Sequence, residues 1–222
     1  MIELTGYQDK HEYVNKHGVK SVVYLMDNMD AMARMKQVGV SCSIGCVDPP
    51  YGINQTAMNM GDRKTIKPDK SKKWDATTPS DEYFQLLFEV TKNQIIWGGN
   101  YFNLPPSQYF AIWDKGETMY GRDFAEAEFA WVRSGGTRIF KSSPVQNDRI
   151  HPTQKLVSLY DWIFHNYAKP NDTILDTHLG SGSSRIAADK HNLPFLGLEL
   201  DPDYFRDHCK RFDRYTAQQT LF

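Results

Sequence analysis

The stretch ILDTHLGSGSSRIAADKHNLPFLGLELD, residues 174–201, narrows the fold more than any other part of the chain. Two short apolar segments flank one helix-length segment, and a Gly-Ser-Gly turn opens that segment. Parallel neighbouring strands need such a crossover; antiparallel ones do not. Gly180 and Gly182 let the backbone turn tightly and approach a ligand. Glu199 falls at the tip of the second strand, within reach of ribose hydroxyls in a nucleotide-binding unit of this layout. Arg185 stands where a third glycine would be, which lowers the odds of a dinucleotide.

The same alternation runs through the rest of the chain. Residues 21–25, 41–48, 93–97, 108–115 and 126–134 predict strands by apolar runs or alternation. Residues 30–38, 80–92, 153–168 and 203–218 predict helices, with Ser80 and Thr153 as N-caps. Residues 54–79 predict a mobile basic loop, and 138–149 a second loop. Strands alternating with helices predict an α/β fold, doubly wound around a mostly parallel, Rossmann-like sheet. The 222 residues fit a single domain.

Composition excludes several classes. With 40% apolar and 24% charged residues, a packed globular protein is expected. No apolar run approaches the roughly 18 residues of a membrane span, and the first residues lack a signal-peptide core. Three cysteines fit a reducing cytoplasm. Cys42 and Cys46 have no second Cys or His pair nearby, so they read as structural thiols and no metal is expected. A net charge of −1 excludes a uniformly basic nucleic-acid binder. Basic residues nevertheless cluster. Arg63, Lys64, Lys67, Lys70, Lys72 and Lys73 fall within 54–75, and Arg133, Arg138, Lys141, Arg149 and Lys155 within 133–155. Such stretches suit phosphates, or else are solvated loops.

The strand at 41–48 ends in Asp48-Pro49-Pro50-Tyr51. Two prolines cannot continue a strand or a helix, and they force a rigid extended turn. Asp48 would sit at a strand tip, where open α/β sheets bind ligands. Its carboxylate and the Pro49 carbonyl present two acceptors side by side, and Tyr51 adds a flat ring. Two acceptors and a ring suit an exocyclic amino group on a planar base.

DPPY, the HPTQK of residues 151–155 and DTHLGSGSS of residues 176–184 together resemble the amino methyltransferases of DNA. Their order, with DPPY ahead of the glycine turn, resembles the circularly permuted β class of that family. The resemblance spans about 21–212 and departs at Thr177-His178, where the family carries Pro-Phe. It implies S-adenosylmethionine as cofactor and DNA as partner, with loop insertions that recognise DNA. It assigns Asp48, Pro49, Pro50 and Tyr51 to catalysis. The cofactor set it implies is Asp30, Asp48, His151, Thr153, Lys155, Asp176, Gly180, Ser181, Gly182, Glu199, Leu200 and Asp201. Nucleic-acid contacts would fall to Arg63, Lys64, Lys67, Lys72, Lys73, Asn100, Arg133, Arg138, Lys141 and Arg149. The insert at 116–150 is short and implies a short target site. The glycines of Trp97-Gly98-Gly99-Asn100 would admit cofactor or base.

Asp at the first DPPY position resembles adenine-N6 enzymes more than cytosine-N4 enzymes. The other readings are an RNA or protein-glutamine amino methyltransferase, or a nucleic-acid-binding module without catalysis. The target base is buried in duplex DNA, so it must be flipped out. The final QQTLF resembles the tail by which bacterial replication proteins dock on the sliding clamp, with Gln218, Leu221 and Phe222 as contacts. A cytoplasmic setting follows, in a bacterium or for a phage-encoded enzyme in its host.

Overall fold

The computed structural model describes residues 3–53, 77–122, 125–147 and 149–219. Among these, nine strands form one sheet. They are β1 (Asp9–Val14), β2 (Lys20–Leu25), β3 (Cys42–Val47), β4 (Thr91–Trp97), β5 (Tyr109–Asp114), β6 (Ala127–Val132), β7 (Arg138–Lys141), β8 (Ile174–Asp176) and β9 (Phe195–Glu199). Their order is β1-β2-β9-β8-β3-β4-β6-β5-β7. The five from β2 to β4 run parallel, while β1 and β6 run against their neighbours. The expected doubly wound α/β fold is borne out.

Helices α1 (Asn28–Gln37) and α2 (Asp81–Val90) cover one face; α3 (Val157–Tyr167), α4 (Ser183–Lys190) and α5 (Pro202–Gln219) cover the other. Side chains alternate between the faces, and both are buried. Val22 packs with Met32, Met35 and Leu87, whereas Val23 packs with Ile163, Phe164 and Phe195. This is why the central strands read as unbroken apolar runs. Ser80 does cap α2, its Oγ accepting from the Tyr83 amide at 3.4 Å.

Two expectations need correction, and one strand had no expectation. Helix α3 starts at Val157 with no side-chain cap. Thr153 lies in the loop before it, its hydroxyl 3.1 Å from His151 Nδ1, and Gln154 fixes that loop by accepting from the Ile150 amide at 3.0 Å. Part of the expected 138–149 loop is β7, paired parallel with β5; four residues are too few to display a period. Strand β1 went unrecognised because its charged sequence, DKHEYV, is that of an edge strand.

The chain leaves β3 for β4 on one side and β8 for β9 on the other, so connections diverge between the neighbours β3 and β8. Such a point opens a crevice at the carboxyl edge of a sheet. Arg63, Lys64, Lys67, Lys70, Lys72 and Lys73 lie outside the described residues, as do Leu221 and Phe222. Gln218 is exposed on the last turn of α5. Among the described residues, no helix is long and apolar enough to cross a membrane.

Candidate active site

A cleft of about 550 Å³ opens at this divergence, lined among others by Asp48, Pro50, Gly180, Ser181, Glu199 and Asp201. Among the described residues, Asp27, Asp48, Glu199 and Asp201 give it four carboxylates against the ammonium of Lys155. The lining therefore favours a cationic ligand.

The glycine turn is held from three sides. The Gly180 amide donates to Glu199 Oε2 at 2.8 Å, while the Leu200 and Asp201 amides donate to Oε1 at 3.0 and 2.9 Å. Burial pushes the Glu199 carboxyl above its ordinary range against these three bonds. Beneath the turn, buried Asp176 accepts from Ser184 Oγ at 2.5 Å and the His178 amide at 3.1 Å. Burial raises Asp176 to about 7 despite them. From behind, Arg211 Nη1 donates to the Ser181 carbonyl at 3.0 Å and to Ser183 Oγ at 2.9 Å. Gly182 begins α4 at φ 73°, and a Cβ there would come within 2.7 Å of His208 Cδ2.

Arg185, in place of a third glycine, points away from the cleft. It is fully buried and held by neutral acceptors: Nε donates to Ser21 Oγ at 2.6 Å, and Nη1 lies 3.0 Å from His11 Nδ1 and 3.1 Å from His208 Nε2. A guanidinium only donates, so His208 Nε2 must accept and its proton sits on Nδ1, 3.0 Å from the Phe205 carbonyl. Burial, with Arg185 and His11 adding, pushes this imidazole well below its ordinary range.

His208 thus stays neutral in the fold and takes a proton on unfolding, so its contribution to stability is lost as pH falls below about 6.5. Asp176 titrates in the opposite sense, which makes total stability a mixed readout. We expect the stability difference between wild type and His208→Gln to shrink from pH 7.5 to 5, the loss setting in below about 6.5 with a limiting slope of about 1.36 kcal/mol per pH unit. Urea titrations at the two pH values measure it; a constant difference contradicts it.

Asp48 sits at the cleft lip just beyond β3. Its Oδ1 accepts from Tyr51 Oη at 2.7 Å and lies 2.6 Å from Lys155 Nζ. Lys155 also contacts Tyr51 Oη at 3.1 Å and Glu128 Oε2 at 3.4 Å, and Glu128 Oε1 pairs with Lys115 at 2.7 Å. Burial alone would lower Lys155, but Asp48 and Glu128 outweigh it and hold the ammonium above its ordinary range. Among the described residues, no hydrogen bond reaches Asp48 Oδ2 or the Pro49 carbonyl.

Tyr51 stacks on Tyr101, with centroids 4.9 Å apart and planes 9° from parallel. Its ring lies against Gly98, where a Cβ would stand 2.2 Å from Cε1; a Cβ on Gly99 would stand 2.5 Å from the Trp131 Cβ. Among the described residues, these glycines make room for Tyr51 and Trp131.

The structure gathers Asp48, Pro50, His151, Thr153, Lys155, Gly180, Ser181, Glu199, Leu200 and Asp201 around one cleft. It places others elsewhere. Asp30 is exposed in the first turn of α1, whereas Asp27 and Asn28 line the cleft. Asp176 and Gly182 shape the turn without lining the cavity. Pro49 is buried, and Asn100 is exposed on the turn after β4. Arg133 follows β6 at the opposite edge of the sheet, its amide donating to the Gln94 carbonyl, because β6 runs antiparallel to β4. Arg138 opens β7, Lys141 pairs with Glu117 at 3.0 Å, and Arg149 donates to the Pro144 carbonyl at 2.9 Å.

Sequence reasoning missed His178, Asn28, Tyr204 and Glu128. His178 Nε2 lies 3.1 Å from Asn28 Nδ2, and burial pushes this imidazole down to about 4, so it is neutral near pH 7. Tyr204 packs on His151 with centroids 4.3 Å apart. Only the Pro-Phe departure at 177–178 hinted at any of these.

A profile of the DNA methylase family, N6_N4_Mtase, matches residues 106–210. The chain is 24% identical over 183 residues to a candidate methylase of Escherichia coli (strain K12), YubD, covering 72% of this chain and 76% of YubD. The fold is similar to that of M1.HpyAVI in its complex with SAM, with TM-score 0.59 and 18% identity over 86% of this chain and 98% of that one. It is also similar to the cytosine-N4-specific PvuII DNA methyltransferase, with TM-score 0.53 and 12% identity over 88% and 89% of the two chains.

Proposed function

We propose that this chain is an S-adenosylmethionine-dependent DNA methyltransferase of the N6/N4 amino type, and that its target is the N6 amino group of adenine. The observation that carries the reading is the Asp48 carboxylate on the lip of the cleft that also holds Gly180 and Glu199. An acceptor for an amino group and a cradle for a nucleoside thus share one cavity. The family match and the shared fold support the methyltransferase part.

The residues fit the cofactor. Glu199, fixed by three amides, presents its carboxylate to a ribose diol. Leu200 and Asp201 border the base beside it, and the turn at 180–182 takes the methionine end. The acidic lining suits a molecule carrying a sulfonium and an ammonium. When bound, the cofactor would supply an electrophilic methyl group, its S–CH₃ bond breaking with the electron pair left on sulfur as a neutral thioether.

Asp48 does the work on the substrate side. An aromatic amine donates its lone pair into the ring and is a poor nucleophile. Accepting N–H bonds at Asp48 Oδ2 and the Pro49 carbonyl localises that pair on nitrogen. As the N–C bond forms, positive charge grows on nitrogen, and the same acceptors stabilise it. The surplus proton leaves nitrogen for Asp48 Oδ2 and passes from there to water.

Incubation with tritiated cofactor and unmethylated DNA tests the proposal. We expect label in N6-methyldeoxyadenosine after nucleoside digestion. Label in N4-methyldeoxycytidine moves the target to cytosine, and label confined to RNA or protein overturns the reading.

A further inference from the structure

We propose that Lys155 is a positioning residue for Asp48 and that, balanced by Glu128, it dictates which carboxylate oxygen meets the substrate. This rests on reading Asp48 as the acceptor for a base amino group. The sequence had placed Lys155 among cofactor ligands. In the fold its side chain is only 6% exposed, and its ammonium spans Asp48 and Glu128, above the Trp97 ring at 5.4 Å.

Lys115, Glu128, Lys155 and Asp48 form a row of alternating charges running from the end of β5 to the tip of β3. Two donors, Lys155 Nζ and Tyr51 Oη, converge on Asp48 Oδ1. Oδ2 is left for an amino N–H. Lys155 by itself would also set a positive charge beside a nitrogen that becomes positive during transfer. Glu128, shared with Lys115, offsets part of that field, so Asp48 keeps part of its negative charge.

Asp48→Asn tests this directly, because a carboxamide has one accepting and one donating end. Lys155 can only donate, so it draws the amide oxygen into the Oδ1 position. The amide NH₂ then faces the substrate NH₂, donor against donor. We expect Asp48→Asn to lower kcat about a thousandfold and Lys155→Met about a hundredfold. The double variant Asp48→Asn/Lys155→Met should be about tenfold faster than Asp48→Asn, since its amide can rotate. Cofactor affinity of Lys155→Met, by calorimetry, should stay within about threefold of wild type. If Lys155→Met unfolds, Lys155→Met/Glu128→Gln keeps the row neutral and carries the same expectation.

A double variant no faster than Asp48→Asn overturns the proposal. So does a Lys155→Met defect confined to cofactor affinity. The pairing has a readout free of activity: the ¹⁵N resonance of the Lys155 ammonium should shift in Asp48→Asn. An unmoved resonance overturns the positioning role whether or not DNA is methylated. A wild type that gives the shift but methylates no DNA overturns the reading of the reaction alone.

Discussion

Asp48→Ala is expected to reduce methyl transfer to DNA at least about a thousandfold under single-turnover conditions with saturating cofactor. The variant loses the acceptor that localises the amine lone pair and the charge that stabilises the developing cation. A thousandfold corresponds to about 4 kcal/mol of transition-state stabilisation, a magnitude expected for a charged acceptor in a partly dry site. The truncation also upsets its surroundings. Lys155 keeps Glu128 at 3.4 Å but loses its 2.6 Å partner, so the row of four charges becomes net positive. A cofactor carrying a sulfonium should bind several-fold more weakly to that cleft. Equilibrium binding and single-turnover rates, measured on the same preparation, separate the two effects. A rate within tenfold of wild type would remove Asp48 from the chemistry.

What the sequence revealed and what it hid divide along one line. Features written in neighbouring residues were legible. The prolines ended β3 where expected, the glycines made a turn between β8 and α4, and Glu199 ended β9 facing that turn. Contacts between distant residues were not legible. Nothing in HPTQK announces that Lys155 meets Asp48 and Glu128, since the three sit on separate segments brought together by strand order. The same cause misplaced Arg133. Its charge groups it with the nucleic-acid contacts, but an antiparallel β6 carries it to the far edge. Asp30 and Asp27 share one helix start, and only the cap geometry tells them apart. The Asp27 carboxylate accepts from the Met29 and Asp30 amides and stays at the cleft, while Asp30 turns outward. Thr153 looked like a cap because an apolar stripe followed it. Its hydroxyl instead found the nearer His151 ring.

Gly98→Ala should be the most damaging change outside the charged residues. Gly98 has φ 67°, a conformation that a side chain strains, and its Cβ would stand 2.2 Å from Tyr51 Cε1 with backbone on one side and a half-buried ring on the other. Neither partner can yield by rotating a flexible end. Tyr51 must leave its place, and with it goes the Oη bond to Asp48 Oδ1 at 2.7 Å and the stack on Tyr101. The strain and lost packing should lower stability by about 2–4 kcal/mol. The rate should fall about a hundredfold as Asp48 loses one of its two guides. Cofactor affinity should stay near wild type, because neither Gly98 nor Tyr51 lines the cleft. Tyr51→Phe supplies the contrast: it keeps the ring and removes only the hydroxyl, so the expected loss is about tenfold with little change in stability. Urea unfolding, calorimetry with cofactor and single-turnover methylation give the three numbers for each variant. If Gly98→Ala matches Tyr51→Phe in rate, ring placement does not matter and the hydroxyl alone guides the carboxylate. If Gly98→Ala instead loses cofactor binding, the strand end after β4 belongs to the cofactor site, as the glycines first suggested.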